Sequence, residues 1–272
     1  MKAVFCLFAL SAFAFAEDKP TLEEKIKDSS PLKLEEKIVN KGGAILQVKP
    51  IMMDKPFLTD WFADGPRSIK VEGDKLQAWF KARKGGDTVH AFKLTKGKVA
   101  YDATFGDKGI APFDRKKANW KPREDFGDWG DSIVSRPVGK YIGKPDSSEE
   151  KEKGQQLKLE DDKGKEVMKL GFVDKDNDIC FLHNFCAWKN IVVIVDGNCR
   201  KLCFWNLKGK HLFNIECREL GLDYPWVQAI DITEDGTMYL GFTQKRKDAK
   251  GGRNSDIQEA AFLKITGLDT IK

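Results

Sequence analysis

Clustered cysteines are the feature of this sequence that bears most directly on chemistry. The chain has 272 residues and six cysteines. Five of them lie within 38 residues, at Cys180, Cys186, Cys199, Cys203 and Cys217. In an oxidising compartment such a cluster favours disulfide bonds, whereas elsewhere the same residues would be buried reduced thiols. Both interpretations are open from the sequence, and all five residues are disulfide candidates.

Sequence spacing restricts how these cysteines can pair. Cys199 and Cys203 are four residues apart, so on one strand they would be separated by about 13 Å, too far for a disulfide. A bridge must therefore cross between strands, and Cys217 with Cys180 or Cys186 is a possible pair. The third interpretation is a metal site, although the paired C-x2-C pattern of strong zinc sites is absent. Its ligands would be Cys180, His183, Cys186 and Cys199.

Catalytic and cofactor-binding patterns are largely missing. The three histidines are His90, His183 and His211. The sequence contains no G-x-S-x-G, Walker, G-x-G-x-x-G or H-E-x-x-H motif. The triplet Asp174-x-Asp176-x-Asp178 is similar to the start of a calcium loop, but Ile179 and Phe185 stand where that loop needs Gly and Glu. We therefore predict no catalytic residue, no metal and no cofactor, and interpret the triplet as a hairpin turn.

The best candidate for a binding site is the irregular stretch 112–131, PFDRKKANWKPREDFGDWGD. Aromatic rings flanked by charged residues are typical of loops that bind sugars or peptides, because a ring offers apolar area at low entropic cost. The alternative is that both tryptophans pack the loop onto the domain. The candidate ligand-binding residues are Trp120, Trp129, Arg115, Arg123 and Asp128.

The N-terminus has the pattern of a signal peptide. Lys2 precedes an apolar run that is too short to span a bilayer, and small residues precede a cleavage point after Ala16. We predict a signal peptide over 1–16, a flexible leader over 17–31, and a periplasmic or secreted mature protein without a membrane span. Removing Lys2 lowers the net charge from +5 to +4. That mild charge argues against nucleic-acid binding.

Short strands and glycine turns make up most of the remaining chain. Apolar residues alternate with polar ones in segments such as KLQAWFKA, residues 75–82, and long apolar stripes of helical period are nearly absent. A turn at Asn40–Gly43 divides Leu34–Pro50 into a hairpin. The pattern breaks over residues 106–154. We therefore predict a single all-β domain over 32–272 with an insertion over 106–154.

A glycine turn recurs along the chain, at Gly42, Gly97, Gly164, Gly209 and Gly267. Gly164 and Gly209 are 45 residues apart, which is the length of one four-stranded propeller blade. The alternative is generic hairpins in a β-sandwich, since glycine takes positive φ without steric cost. The recurrence favours a β-propeller of about five blades, within a range of four to six.

Three segments resemble parts of the NHL-like and six-bladed β-propeller families of exported bacterial proteins. Residues 196–215 look like half a blade, 232–242 like a blade-opening hairpin, and 103–114 like a link between blades. The resemblance implies blades arranged around an axis, with closure by N- and C-terminal strands. Leu34–Pro50 would then complete the blade begun by Trp226–Thr266, which removes open sheet edges.

Propellers host unrelated activities, so the fold does not identify the function. The repeats, the long loops and the missing motifs favour an exported noncatalytic binding or scaffold module, with a glycan or a protein or peptide as ligand. The alternative is a carbohydrate-active hydrolase or lyase with carboxylates around the axis. Three or more carboxylates or histidines at the axis near a tryptophan would favour the enzyme, and a channel lined by Val, Ile and Phe would exclude it.

Overall fold

The domain is nearly all-β throughout the residues that the structure describes. The computed structural model describes residues 32–53, 57–59, 65–80, 88–95, 98–101, 135–146, 155–172, 178–245 and 258–272. These ranges contain eighteen strands and one 3-10 turn, Leu268–Thr270. None of their helical segments has the length and apolarity needed to cross a membrane. The signal peptide over 1–16 and the leader over 17–31 lie outside the described residues and stay predictions.

The strands are short, as the alternating pattern predicts. In chain order they are β1 (Lys37–Lys41), β2 (Ala44–Met53), β3 (Phe57–Thr59), β4 (Pro66–Glu72), β5 (Lys75–Phe80), β6 (Thr88–Thr95), β7 (Lys98–Tyr101), β8 (Arg136–Val138), β9 (Tyr141–Asp146), β10 (Gln156–Glu160), β11 (Glu166–Leu170), β12 (Leu182–Trp188), β13 (Ile191–Asp196), β14 (Lys201–Asn206), β15 (His211–Glu216), β16 (Trp226–Ile232), β17 (Met238–Lys245) and β18 (Gln258–Thr266).

These strands form four antiparallel sheets. Sheet I is β4 to β7, sheet II is β8 to β11 and sheet III is β12 to β15, each in chain order. Sheet IV places β16, β17 and β18 beside β2, with β1 on the far side of β2 and β3 along part of β18. Sheets I and IV are continuous because β2 pairs in parallel with β7 over Met52 and Met53.

The N-terminal hairpin completes the sheet that the C-terminal strands begin. β1 and β2 pair antiparallel on either side of Gly42 and Gly43, and residues Gln47 to Ile51 of β2 pair with β18. The predicted hairpin over Leu34–Pro50 and its place beside Trp226–Thr266 are therefore confirmed. This pairing covers the edge of β18, which would otherwise be open to other chains.

Two of the recurring glycine turns have the same position in their sheets. Gly164 lies between the third and fourth strands of sheet II, and Gly209 lies between those of sheet III. Gly267 follows β18, the third strand of sheet IV, but the fourth strand there is β2. Gly267 leads instead into the 3-10 turn Leu268–Thr270, so it does not join two consecutive strands.

Two strands lie inside the predicted insertion 106–154. They are β8 and β9, which pair antiparallel. Gly139 has a left-handed φ of 60° and begins the turn between them, so it cannot begin a strand.

Apolar clusters lie between neighbouring sheets and set their order. Ile69 of sheet I and Phe262 of sheet IV belong to one buried cluster. Phe204 of sheet III and Leu240 of sheet IV belong to another. A third cluster joins sheets II and III through Leu157. The first strands of the sheets, which we call the inner strands, contact one another in the order β4, β16, β12, β8.

Candidate functional site

Three of the inner strands carry a β-bulge near their first residue. In β4, β12 and β16 the pairing register skips one position, and the skipped residues are Arg67, His183 and Gln228. A bulge leaves one residue out of the hydrogen-bonded ladder and re-aims its side chain, and bulges are frequent beside active sites. The repetition of a bulge in three sheets therefore points to these side chains.

The three bulge residues and Trp226 lie together, and we call these four residues the bulge cluster. With its amide oriented to satisfy its neighbours, Gln228 accepts hydrogen bonds at Oε1 from Nη1 of Arg67, at 2.7 Å, and from Nε1 of Trp226. The rings of His183 and Trp226 meet edge to face, with centroids 4.9 Å apart. Arg67, His183 and Gln228 are all buried. Three sheets thus contribute to one enclosed group of polar side chains.

His183 is the member of the cluster with an unused polar atom. The residue is 7% exposed, and Nε2 has no hydrogen-bond partner among the described residues. Burial, together with the positive charge of Arg67, lowers the pKa of His183 to about 4. The imidazole is therefore neutral at pH 7, with one donor and one acceptor nitrogen. A buried polar atom without a partner costs about 1–3 kcal/mol, which a bound ligand would offset.

The buried side-chain amide of Asn184, on β12, links the bulges of β4 and β16 to β12. Nδ2 of Asn184 donates to the carbonyl oxygen of Gln228 at 3.0 Å and to that of Arg67 at 3.4 Å. Its Oδ1 accepts from the backbone N of Phe185 at 2.8 Å and from Nη1 of Arg136 at 3.2 Å. Bulges leave backbone groups unpaired, and buried backbone groups need partners. Asn184 supplies those partners beside His183.

Arg136 connects the fourth inner strand, β8, to the same place. Its Nη1 donates to the carbonyl oxygens of Phe185 at 2.6 Å and Ile230 at 3.1 Å. Its Nη2 lies 3.2 Å from Oδ1 of Asp231, whose Oδ2 accepts from the backbone N of Val71 at 2.9 Å. A buried ion pair is tolerated when its other hydrogen bonds are satisfied. Arg136 and Asp231 therefore hold the inner strands together and are not available to a ligand.

A disulfide and a buried carboxylate fix the segment that leads to His183. Cys180 and Cys199 form the disulfide, with Cα atoms 5.9 Å apart. The carboxylate of Asp196 accepts from the backbone N of Cys180 at 2.8 Å, of Phe181 at 3.1 Å and of Cys199 at 3.1 Å. Burial raises the pKa of Asp196, and these backbone hydrogen bonds act in the opposite direction. The turn carrying Cys199 is thus tied to the start of β12.

The remaining described cysteines, Cys186, Cys203 and Cys217, lie outside this disulfide as buried thiols. Burial raises the pKa of both Cys203 and Cys217 to about 12, so they are unreactive thiols. The suggested pairing of Cys217 with Cys180 or Cys186 is wrong. Cys217 follows β15, which lies at the opposite edge of sheet III from β12, and three strand spacings amount to about 14 Å.

The metal interpretation of the cysteines does not fit their oxidation state. The ligand atoms of Cys180, Asp196 and Cys199 all lie within 4.8 Å of one another. The two sulfurs are bonded to each other, however, whereas metal ligation needs thiolates.

Of the aspartate triplet, Asp178 is described, and its carbonyl oxygen accepts from Nζ of Lys201 at 2.7 Å. The other two aspartates lie outside the described residues.

The predicted binding loop also lies outside the described residues. The roles predicted for its members stay predictions: Trp120, Trp129, Arg115, Arg123 and Asp128.

Sequence patterns did not reveal the bulge cluster. His183 was considered only as a possible metal ligand, and Arg67 and Gln228 were not considered. The available signal was a polar residue near the start of a first strand, directly before its apolar core, as in RSIKV, HNFCA and QAIDI.

An exposed aromatic residue with a strained backbone lies close in sequence to one member of the bulge cluster, Trp226. Tyr224 is 76% exposed, has a left-handed φ of 49°, and lies two residues before Trp226. Its ring is 4.6 Å from Cζ of Arg200, which also has a left-handed φ, of 51°. Such conformations are costly for residues other than glycine and concentrate at ligand-binding and catalytic sites.

No family model and no curated protein sequence matches the chain. Among solved structures it is similar to virginiamycin B lyase from Staphylococcus aureus, with 12% identity, a TM-score of 0.31, and coverage of 79% of this chain and 59% of that chain. It is similar to an oxidoreductase (glucose dehydrogenase) from Thermus thermophilus, at 10% identity and TM-score 0.31, covering 82% and 93%. It is also similar to the calcium-binding protein regucalcin from Agrobacterium tumefaciens, at 8% identity and TM-score 0.29, covering 87% and 75%.

The chain spans 59% of the length of the lyase that it matches. At these TM-scores the matches assign neither a family nor an activity. The resemblance to NHL-like families therefore stays a prediction.

Proposed function

We propose that this chain is a four-bladed β-propeller that binds a small ligand at the bulge cluster, as a noncatalytic binding module. The observation that carries the proposal is the convergence of Arg67, His183 and Gln228 from three sheets, with Nε2 of His183 left without a described partner. Bulges interrupt the ladder that stabilises a sheet. Three of them at one place are understandable if the side chains that they re-aim have a use.

The propeller part of the proposal is supported by the arrangement of the sheets. Sheets I to III are antiparallel meanders, and sheet IV is completed by β2 from the N-terminal hairpin. The inner strands contact one another in succession, and Arg136 and Asn184 bind across them. β2 beside β18 supplies the closure that propellers use to remove edges. The four described sheets correspond to four blades, the lower end of the predicted range.

Binding is favoured over hydrolysis by the way the carboxylate near the cluster is used. Sugar hydrolysis needs two carboxyl groups facing each other across the substrate. Asp231 is engaged by Arg136 and by the backbone N of Val71. Within the described inner strands, the tryptophan Trp226 has one histidine beside it, His183. The enzyme hypothesis expects three or more carboxylates or histidines there. Nor do the described inner strands present a lining of only Val, Ile and Phe, and a polar lining suits a binding site.

The proposal includes export, to the periplasm or to the outside of the cell, with cleavage after Ala16. The exposed disulfide between Cys180 and Cys199 supports it, because such bonds persist in oxidising compartments. N-terminal sequencing of protein recovered from the producing cells tests this point, and a mature chain that retains Lys2 would contradict it.

A ligand screen tests the binding function. Residues 17–272 are screened against glycans, peptides and small metabolites by thermal unfolding, because a ligand at a hundred times its Kd stabilises the folded state by about 2.7 kcal/mol. We expect hits whose stabilisation disappears in His183→Asn and persists in His211→Asn, a control on the outer strand β15. A second comparison uses a variant in which both Trp120 and Trp129 are replaced.

The two comparisons separate the candidate sites. Hits that depend on Trp120 and Trp129 but not on His183 would place binding on the predicted loop and overturn the proposal for the bulge cluster. A screen in which no compound distinguishes wild type from His183→Asn would overturn it as well.

A further inference from the structure

Two exposed residues with strained backbones, Arg200 and Tyr224, contact each other, and we call them the Arg–Tyr pair. Three residues other than glycine have left-handed φ in the described part of the chain, and Arg200 and Tyr224 are two of them. Cζ of Arg200 lies 4.6 Å from the centre of the Tyr224 ring, which attracts the positive charge. Strain of this kind persists only where the surrounding structure imposes it, and it concentrates at functional sites.

The surrounding structure fixes the backbone on both sides of this contact. Arg200 directly follows Cys199 of the disulfide, and its carbonyl oxygen accepts from the backbone N of Cys217 at 2.8 Å. Tyr224 directly precedes Pro225, which is buried. Both side chains are therefore presented from anchored positions, which reduces the entropic cost of binding a partner.

Arg200 has hydrogen-bonding capacity that the protein does not use. A guanidinium carries five N–H donors. That of Arg200 contacts the Tyr224 ring, and in the described structure no carboxylate or carbonyl oxygen accepts from it. The exposed Arg218, by contrast, is paired with Glu216, with Nε 2.6 Å from Oε2. The planar fork of an unpaired guanidinium matches a carboxylate, which can accept two parallel hydrogen bonds from it.

The exposure of the pair indicates a protein as the partner. Tyr224 is 76% exposed, so it projects from the surface, whereas small ligands are bound in concave sites. Tyrosine and arginine are enriched among the residues that carry most of the binding energy at protein–protein interfaces. A sugar ring would stack on a face of the tyrosine, but Arg200 already lies over this ring.

We infer that the Arg–Tyr pair is a docking surface for an acidic segment of a partner protein. An Asp or Glu carboxylate of that segment binds the guanidinium of Arg200, and an adjacent apolar side chain packs on the exposed part of Tyr224. The inference goes beyond the proposed function, because it concerns another surface and another class of partner than the ligand of the bulge cluster.

Peptide selection on the purified protein tests the inference. Short random peptides displayed on phage are selected for binding, and the affinities of the enriched peptides are measured by fluorescence anisotropy. We expect peptides with an Asp or Glu next to an apolar residue. Arg200→Asn and Tyr224→Asn should each weaken their binding about tenfold or more. Asparagine is chosen because it tolerates left-handed φ. The matched control is Arg218→Asn, which removes an arginine that is already paired and should leave the affinity unchanged.

Substitutions in the peptide test the predicted ion pair. Replacing the peptide's Asp or Glu with Asn or Gln should weaken binding to wild type about tenfold or more. The same replacement should add little in Arg200→Asn, because both changes remove one contact. Arg200→Lys should retain part of the affinity, since lysine keeps the charge but not the fork.

The remaining outcomes would overturn the inference. Enriched peptides that bind Arg200→Asn as tightly as wild type would do so, and so would a selection that enriches none. Polygalacturonate, a carboxylated polysaccharide, is the competitor, and tighter Arg200-dependent binding of it than of any peptide would assign the surface to an acidic glycan instead. Should Arg200→Asn fail to fold, Arg200→Lys and Tyr224→Asn still decide the question. The ligand screen with His183→Asn is read separately, so either proposal can fail alone.

Discussion

The ring of His183 lies directly against the α-carbon of Gly197, where a methyl group would come within 1.7 Å of Cδ2 of His183. Gly197 lies in the turn between β13 and β14, and its backbone N donates to the carbonyl oxygen of Phe181 at 3.1 Å. The same turn carries Cys199 of the disulfide. The position of His183 therefore depends on a turn that is held in place by one disulfide and one backbone hydrogen bond.

Adding a methyl group at this contact tests that relationship. Gly197→Ala should lower the free energy of unfolding by about 1–3 kcal/mol, as overpacking of a tight contact does, and denaturant unfolding measures it. The control is the same substitution in a His183→Ala background, where the ring is gone. The cost should then largely disappear, since contacting residues are not additive. An equal cost in both backgrounds would show that the ring is not the obstacle.

The sequence predicted the hairpins well because their determinants are local. The turn at Asn40–Gly43 and the turns at Gly164 and Gly209 need residues that take positive φ, and glycine is recognisable in any single chain. The place of Leu34–Pro50 beside β18 also followed, because two open sheet edges must be covered.

The bulge cluster could not be predicted in the same way. Whether Arg67, His183 and Gln228 bulge is decided by pairing with the next strand, and their meeting is decided by packing between sheets. Neither can be read from the apolar pattern of a single strand. The disulfide partner of Cys180 was missed for the same reason, because Cys199 lies in a turn and was assigned to a strand.

Acid should destabilise the fold through His183. An ordinary histidine pKa of 6.5 applies to the unfolded chain, while burial beside Arg67 lowers the folded pKa to about 4. Between these values the unfolded chain binds more protons, so stability is retained above pH 6.5 and falls as the pH drops, by about 3 kcal/mol in all.

Unfolding free energies measured from pH 7 to pH 4 test this, with His183→Asn as the comparison. The variant should lose less stability over that range than wild type. The raised pKa of Asp196 contributes with the opposite sign in both proteins and cancels in the difference. Parallel curves for wild type and variant would mean that His183 titrates normally.

Asn184 should be far more important to stability than an outer-strand asparagine. Asn184→Ala leaves the carbonyl oxygens of Arg67 and Gln228 without its amide, and each unsatisfied buried group costs about 1–3 kcal/mol. We expect a loss of about 3 kcal/mol or more in denaturant unfolding. The matched control is Asn214→Ala on β15, which removes a part-buried hydrogen bond to His211 and should cost about 1 kcal/mol. Similar losses for the two variants would contradict a special role for Asn184.

Thiol titration distinguishes the disulfide from reduced cysteines. In a protein that starts at residue 17, no thiol should react while folded, since Cys186, Cys203 and Cys217 are buried. Three should react after unfolding without reductant and five after reduction. Because the bond joins residues 19 apart, reduction should lower stability by about 3 kcal/mol in the chain-entropy model. Five reactive thiols without reductant would rule the bond out.

Two glycines test the contact between β2 and the residues at the end of β18. Gly43 and Gly267 both have left-handed φ, of 82° and 99°, so alanine at either is strained by about 1–2 kcal/mol. A methyl group on Gly43 meets nothing within 4 Å, whereas one on Gly267 would lie 2.2 Å from the carbonyl oxygen of Ile45 in β2. Gly267→Ala should therefore cost clearly more than Gly43→Ala, by about 1–3 kcal/mol, because a backbone atom cannot turn aside as a side chain can. Equal losses in thermal or denaturant unfolding would mean that the last residues of β18 do not hold β2 in solution as tightly as the pairing implies.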